Sequence, residues 1–495
     1  MVDLLHKDQP MSIPGLRNLV NGAFVSAKEG GLLDNLGPAT GEIIARIPRS
    51  TKADVDAAVA AAKTALPAWA KTPVAERAAL LDRVADRLEA RLDELAALES
   101  RDTGKPVSLA KSLDIPRAIA NFRFFADLVR TQPGESSAMA DALNYTHRAP
   151  AGVCALITPW NLPLYLLSWK TAPALAMGNT IVAKPSELTP MTASVLAEIL
   201  MEAGCPSGVF NLVHGLGAEA GDALVSHPDV ALVSFTGGTA TGAKVAATAA
   251  PQFKKLSLEL GGKNPSLVFA DCDFDKTVQG VIRSAFLNQG QICLCGSRIL
   301  VERPLHDRFV DALLEELKAW KVGDPADPAT KIGATISADH REKVEGYLKL
   351  AMDEGGTIRC GGKRPGLPAP FDGGFFLEPT VITGLNATCR AATEEIFGPV
   401  VTVHPFDTEE EALRIANGTK YGLAASVWTS DLKRAHRVSQ ALESGMVWVN
   451  TWLHRDLRVP FGGVKASGVG REGGRYSLEF FSEAKNICIH LGGPA

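Results

Sequence analysis

The stretch VALVSFTGGTATGAKVAATAA at residues 230–250 runs a β-branched strand into a glycine turn and then into a helix of small residues. Gly237, Gly238 and Gly242 punctuate the turn, so main-chain N–H groups at the helix start face outward, the arrangement that receives a pyrophosphate. As a bare pattern it is incomplete, because Thr239 stands where the G-x-G-x-x-G fingerprint has its second glycine. The same rhythm extends to both sides. VCALIT, NTIVAKP, GVFNLVHG and KLSLELGG recur with it at intervals of roughly 25 residues from Val153 onward, the spacing of parallel strands crossed by helices.

A second set of strand-like runs follows with its own rhythm: PSLVFAD, SRILVE, TIRCGG, VTVHPF, LAASVWT and GMVWVN. DRFVDALLEELKAW and HREKVEGYLKLAM read as helices between them. The fold class is therefore α/β with two lobes, since one sheet of all these strands would exceed the usual size of a single core. Ahead of both lobes, residues 73–99 predict one long amphipathic helix, with Thr72 as N-cap, Pro73 in the first turn and an apolar stripe through Leu80, Leu81, Val84, Leu88, Leu92 and Leu95. Residues 361–374 are rich in Gly and Pro and predict a loop. Residues 144–147 and 486–490 alternate in a way compatible with strands.

The chain has 495 residues, 46% hydrophobic and 21% charged, with a formal net charge of −4. That balance is ordinary for a soluble globular protein and offers no attraction to nucleic acid. The N-terminus lacks a basic start with an apolar core, and no 18-residue apolar run occurs, so a cytoplasmic protein without a membrane partner is expected. The eight cysteines are scattered without a CxxC pair or a histidine at ligand spacing, which predicts reduced thiols and neither a disulfide framework nor a metal site. Residues 1–10 precede a second methionine, Met11, and are expected to be a flexible extension.

Three side chains carry the chemistry: Asn161 in TPWN, Glu259 in LELGG and Cys293 in GQIC. A thiol can attack a carbonyl, an amide can stabilise the resulting oxyanion, and a carboxylate can activate the water that releases an acid from a thioester. Read singly, each has a bland alternative: a packed Cys, a strand-end ion pair, a turn Asn beside Pro. Cys293 and Glu259 lie too far apart for local structure to join them, so a cleft between the lobes has to.

TPWNLP at 158–163, KPSE at 184–187, FTGGT at 235–239, LELGGKNP at 258–265, GQICLC at 290–295, EEIFGPV at 394–400 and PFGG at 460–463 stand in the order found in the aldehyde dehydrogenase superfamily, which the chain resembles from about Asn21 onward. Within it, WNLPLYLLSWK, NQGQICLC and NTWLHRDLRVPFGG are similar to the muconic semialdehyde branch. The resemblance implies a Rossmann-like NAD-binding lobe (1–131 and 150–259), a catalytic lobe (260–450), an oligomerisation element (132–149 and 478–495) and a bridging segment (451–477). It also implies a homodimer or homotetramer.

By the same resemblance Cys293 is the nucleophile, attacking as a thiolate of lowered pKa, with Glu259 the general base and Asn161 the oxyanion donor beside the Cys293 main-chain N–H. NAD is the implied cofactor. Thr158, Pro159, Trp160, Lys184, Ser186, Glu187, Phe235, Gly237, Gly238, Gly242 and Leu260 are placed around it, and Glu395 and Phe397 at its nicotinamide end. The family usually carries Ser where this chain has Gly238, which removes one side-chain hydrogen bond. Glu187 at the adenosine ribose would repel a 2′-phosphate, so NAD is expected over NADP. Cys295 reads either as a redox partner that shields Cys293 or as a packed side chain, and packing is favoured.

Arg455, with Arg458 three residues on, stands where many relatives have an aromatic substrate-tunnel residue. A confined arginine calls for an anion, and its planar fork suits a carboxylate. Arg117 resembles a second carboxylate-binding arginine of the muconic branch; otherwise it is a helix-surface residue. Tyr165, Trp169, Trp452 and Phe461, together with Trp160, would supply flat walls for a conjugated chain. The expected substrate is 2-hydroxymuconate or 2-aminomuconate 6-semialdehyde. Competing readings are a broad-specificity dehydrogenase of neutral aldehydes (retinal, benzaldehyde or betaine aldehyde), an NAD-independent cysteine hydrolase, and a silent scaffold on the same fold.

Overall fold

The computed structural model describes residues 13–492, so the expected extension at 1–10 lies outside the described residues. Two large sheets organise the chain. The first has eight strands in the spatial order Ala23–Val25, Asn18–Val20, Phe210–Leu212, Thr180–Lys184, Val153–Ile157, Val230–Thr236, Lys255–Glu259, Gly468–Val469. Its five central strands are parallel, and all five were legible as β-branched runs. Register carries the functional consequence. Ile157 pairs with Lys184 and with Phe235, and Thr236 with Glu259, so the carboxyl ends of four neighbouring strands finish at one edge of the sheet. In open α/β sheets ligands bind outside that edge.

The second sheet has seven strands in the order Thr357–Cys360, Thr380–Thr383, Val400–Phe406, Arg298–Glu302, Pro265–Val268, Ala424–Trp428, Met446–Val449. Thr380–Thr383 escaped the sequence reading because only four residues, PTVIT without its Pro, mark it. A third, three-stranded sheet joins Ser482–His490 to Ala142–Pro150 and Ser136–Ala138, so the two alternating pieces at 144–147 and 486–490 are antiparallel partners. Residues 361–374 contain no helix or strand.

The single helix expected over 73–99 is two helices, Val74–Ala90 and Leu92–Thr103, broken at Arg91 (φ −109°, ψ 20°). Packing differs on the two sides of the break. The first helix packs chiefly along Ile115–Arg130, whereas the second turns toward the Ala110–Asp114 turn and Met191–Glu202. The Arg91 guanidinium bridges to Glu94 at 2.7 and 2.8 Å and braces the bend. Thr72 is not an N-cap. It closes the preceding helix, Lys52–Lys71, with its N–H on the Trp69 carbonyl, and Pro73 occupies the cap position of the next. No helix among the described residues is long and apolar enough to cross a membrane.

Candidate active site

Each lobe supplies part of the site, starting with the glycine turn. Gly238 caps the helix Thr239–Ala249, which begins two residues earlier than its sequence suggested. The Gly237 N–H donates to the Glu259 carbonyl at 3.0 Å, tying the turn to the neighbouring strand end. A Cβ on Gly242 would stand 2.4 Å from Leu260 Cδ2, so its absence lets the helix seat against Leu260, whereas a Cβ on Gly238 would meet nothing within 4 Å. Phe235 and Leu260 are buried beside the turn.

Lys184 ends its strand buried, with Nζ donating to the Pro185 carbonyl (3.0 Å) and to Glu187 Oε2 (3.2 Å); Glu187 is half-exposed. Burial lowers the Lys184 pKa, and Glu187 opposes this. The Ser186 hydroxyl accepts from the Leu188 N–H. Thr158 and the half-buried Pro159 and Trp160 follow the adjacent strand, with the Thr158 N–H on the Lys184 carbonyl at 3.2 Å. Among the described residues the buried hydroxyls of Thr158 and Thr236 find no protein partner, which leaves two hydrogen-bonding groups for a ligand along this edge.

At the other end of the groove, Glu395 Oε1 accepts the Gly262 N–H at 2.9 Å, and a Cβ on Gly261 would fall 2.1 Å from Glu395 Oε2. The glycine pair of LELGG thus admits the carboxylate against the backbone. Phe397 holds a left-handed backbone (φ 62°) and packs edge-on against Trp160, with ring centres 5.3 Å apart. His340, which no sequence signal marked, packs on Trp160 at 5.2 Å and contacts the Phe397 carbonyl through Nε2 at 2.6 Å.

Cys293 is partly exposed and follows a strained turn, in which Asn288 (φ 53°), Gln289 (φ 56°) and Gly290 (φ 69°) are all left-handed. Asn264, also missed although it lies inside LELGGKNP, holds the turn by donating to the Cys293 carbonyl (2.7 Å) and the Cys295 carbonyl (2.9 Å). Buried Asn161 donates Nδ2 to the Gln291 carbonyl at 2.9 Å, two residues before the thiol, and keeps its second amide proton. Glu259 is buried, with neither carboxylate oxygen partnered among the described residues; a Cβ on Gly462 of PFGG would lie 2.7 Å from Glu259 Oε1.

Electrostatics separates these groups. Burial first and the Glu472 carboxylate second raise the Glu259 pKa well above its ordinary value, against Lys170, Arg471 and Arg455. Lys170 and Glu472 form a buried pair at 2.7 Å behind it. The Cys293 thiol is pushed up by burial and then by Glu259, Glu395 and Cys295, with Arg455 opposing; the depressed value expected from its role is not produced by the protein's own groups. Cys295 is buried among Tyr165, Trp452, Phe461 and their apolar neighbours, and burial pushes its thiol up to about 12. All eight cysteines are free.

The same apolar cluster forms a pocket wall. Arg455 Nη1 donates to the Tyr165 hydroxyl, and the guanidinium lies over the rings of Phe461, Trp169 and Tyr165. Trp452 is anchored through Nε1 to the Leu294 carbonyl at 2.9 Å. Trp169 is almost wholly buried and leans on Phe125, so it supports the pocket more than it lines it. The Arg117 guanidinium also lies beside Tyr165, 5.7 Å from the ring centre; burial lowers its pKa, Tyr165 opposes this, and the nearby Arg455 lowers it further. Arg458, read beside Arg455, is exposed and pairs with Asp456.

Residues 24–487 match the Aldehyde dehydrogenase family. The chain belongs to this family. It is 50% identical over 478 residues to a 2-aminomuconic semialdehyde dehydrogenase of Danio rerio, covering 96% of this chain and 98% of the relative. To a 2-hydroxymuconic semialdehyde dehydrogenase of Pseudomonas sp. (strain CF600) it is 50% identical over 483 residues, covering 96% and 99%. Among solved structures, a putative aldehyde dehydrogenase from Burkholderia cenocepacia superposes with a TM-score of 0.95 at 41% identity, covering 97% of this chain and 98% of that one. A betaine aldehyde dehydrogenase of Staphylococcus aureus in complex with NAD+ superposes with a TM-score of 0.94 at 39% identity, covering 97% and 95%. This aldehyde dehydrogenase therefore shares 96% or more of its length with these relatives, and the two-lobed α/β fold is theirs as well.

Proposed function

We propose that this aldehyde dehydrogenase oxidises 2-hydroxymuconate or 2-aminomuconate 6-semialdehyde to the dicarboxylate with NAD. The observation that carries the substrate class is the pair Arg455 and Arg117, both beside the ring of Tyr165 and near enough for the charge of Arg455 to lower the pKa of Arg117. Among the described residues neither forms an ion pair with a carboxylate, since Asp456 is engaged by Arg458. Two confined guanidinium groups are costly unless an anion joins them, and a carboxylate at the far end of the substrate satisfies both. The names of the relatives from Danio rerio and Pseudomonas point the same way.

The residues present fit a dinucleotide. The capped glycine turn at 237–242 would receive the pyrophosphate, Lys184 and Glu187 the adenosine ribose, and Glu395 and Phe397 the nicotinamide end; the unpartnered Thr158 and Thr236 hydroxyls line the same edge. When bound, NAD accepts the hydride and brings a cationic ring toward the thiol. Cys293, already ionised to the thiolate with its proton passed to solvent, attacks the aldehyde carbon, and the Asn161 amide with the Cys293 N–H receives the oxygen that becomes negative. Loss of hydride leaves a thioester on Cys293. The fraction of Glu259 that is ionised, which grows as pH rises toward its raised pKa, then takes a proton from water, the hydroxide adds to the thioester, and the thiolate departs with release of the acid. In this reading residues 132–149 and 478–495, of which 493–495 lie outside the described residues, are the oligomerisation element, residues 451–477 bridge the lobes, and the enzyme works as a homodimer or homotetramer.

Stoichiometric NADH formation with semialdehyde acids, measured beside benzaldehyde and betaine aldehyde, tests the assignment. Equal kcat/KM for neutral and carboxylated aldehydes would leave the broad-specificity reading, and ester hydrolysis without NADH would leave the hydrolase.

A further inference from the structure

Beneath Asn161 lies a fully buried ion pair that the chemistry above does not use. The helix Leu92–Thr103 ends at Gly104 (φ 76°), and the next residue, Lys105, turns its side chain inward. Its ammonium donates to Asp114 Oδ2 at 2.5 Å and to the main-chain carbonyl of Asn161 at 2.9 Å, with Lys105 and Asp114 both 0% exposed. The Asn161 carbonyl also accepts Asn288 Nδ2 at 3.2 Å, and that amide reaches the Gln291 carbonyl, the acceptor of the Asn161 side chain. Main chain and side chain of Asn161 are therefore both referenced to the turn that carries Cys293. Three residues on, Glu99 accepts the Leu164 N–H at 3.4 Å and the Thr192 hydroxyl at 2.6 Å, so the 161–164 turn is gripped at both ends.

The loop bearing Lys105 is also clamped to the other lobe. The Ala334 N–H donates to the Gly104 carbonyl at 3.0 Å, the Ala334 carbonyl accepts Gln289 Nε2 at 3.0 Å, and a Cβ on Gly333 would stand 1.9 Å from the Gly104 carbonyl. A buried ion pair commonly adds little net stability over an uncharged pair of similar shape, because desolvation offsets the attraction. Its directionality is a different matter: an ammonium held by a carboxylate fixes the position of a third group to within a hydrogen bond.

We propose that the Lys105–Asp114 pair is a positioning device that sets the Asn161 amide against the carbon attacked by Cys293. The proposal rests on the oxyanion role given to Asn161 above. Lys105 and Asp114 touch neither substrate nor cofactor and act only through Asn161.

The test is a double-mutant cycle on the full enzyme, read as the rate of the first NADH burst, the KM for NAD and the thermal unfolding midpoint. Lys105→Met/Asp114→Asn removes both charges with little change of shape; the buried Glu99, which loses the Lys105 charge, is neutralised in the same variant by Glu99→Gln, whose single substitution serves as the control. The combined variant's burst should be slower than the control's by about 10- to 100-fold, the scale of a misplaced reacting group. KM for NAD should change by less than about twofold and the unfolding midpoint should stay near the parent's. Asn161→Ala should slow the burst about 10²- to 10³-fold, and adding the combined changes to it should cost nothing beyond what Glu99→Gln costs. A parent burst rate in Asn161→Ala would sink the oxyanion reading itself. With Asn161→Ala slow, three outcomes overturn the positioning role alone: a combined variant at the control's rate, a loss that multiplies with that of Asn161→Ala, or unfolding of the combined variant where the control is intact, which would make the pair a stability element.

Discussion

Arg455 donates a 2.6 Å hydrogen bond to the hydroxyl of Tyr165, and its guanidinium carbon lies 4.0 Å from the centre of the Phe461 ring. The cation is held at a fixed height in the pocket by a phenol and an aromatic face, so its remaining donors are oriented before substrate arrives. Arg455→Ala should lower kcat/KM for a muconic semialdehyde about 10- to 100-fold, the worth of a hydrogen bond to a charged group, while changing a neutral aldehyde less than about threefold. Parallel kcat/KM measurements on the two substrates check it. Equal losses, or none, would remove the carboxylate from the account.

Glu259→Gln should give one equivalent of NADH per active site and then stall, since the amide cannot take a proton from water. Rapid-mixing kinetics reads the burst directly. Stability should respond in a signed way. The carboxyl is raised above its ordinary 4.5 in the fold, so the folded state holds the proton while the unfolded chain releases it, and stability falls as pH rises from 4.5 toward the folded-state pKa. The neutral glutamine lacks this loss. Its unfolding midpoint relative to the parent should therefore climb between pH 5 and 8, and a difference independent of pH would contradict the raised pKa.

Two buried histidines, His214 and His404, and the half-buried His340 make the protein acid-sensitive. Burial lowers His340 and His404 to about 4 and His214 to about 3, from an ordinary 6.5. The stability tied to their neutral forms is whole above pH 6.5 and is lost as pH falls toward 4, by up to about 1.4 kcal/mol per pH unit for each histidine inside that window. Urea unfolding at pH 7, 6 and 5 should show the decline, and His404→Gln should flatten it.

Gly290→Ala should be severe. The glycine has φ 69°, and an added Cβ would stand 2.1 Å from the Gly398 carbonyl oxygen, a backbone atom unable to swing away. Strain and displacement together should cost more than about 2 kcal/mol. The turn before Cys293 should move with it, so thiol alkylation by iodoacetamide and the unfolding midpoint should both change. A variant with parent values for both would show the turn to be compliant.

On the proposed reading, Glu187 sets the preference for NAD over NADP. Its half-exposed carboxylate is paired only at 3.2 Å with Lys184 and remains free to accept ribose hydroxyls. Glu187→Gln should raise kcat/KM with NADP about tenfold by removing one like charge near the 2′-phosphate, and lower it with NAD. An unchanged NAD to NADP ratio would take Glu187 out of selectivity.

The two lobes and the candidate chemistry were legible in the chain because they rest on local signals. β-Branched runs at regular spacing mark parallel strands, glycine turns mark strand ends, and Asn161, Glu259 and Cys293 stand inside motifs that share little with background sequence. The break at Arg91 was hidden, since the apolar stripe runs through it without interruption and the bend shows only in how the two helices pack on their neighbours. His340 and Asn264 were hidden for a related reason: each acts by a hydrogen bond to a backbone carbonyl in a distant segment, and no periodicity records such a bond.

Residue type and spacing determined the two α/β lobes, because strand ends and turns are set by neighbours in sequence, and the family resemblance of the motifs singled out a thiol, an amide and a carboxylate as the candidate chemistry. Tertiary structure alone decided how these groups are charged and held. It buries Glu259 next to Glu472, turns Arg455 inward and Arg458 out, and places Lys105 under Asn161. Desolvation and hydrogen-bond geometry depend on which segments meet, and here the segments that meet are separated by dozens to hundreds of residues along the chain.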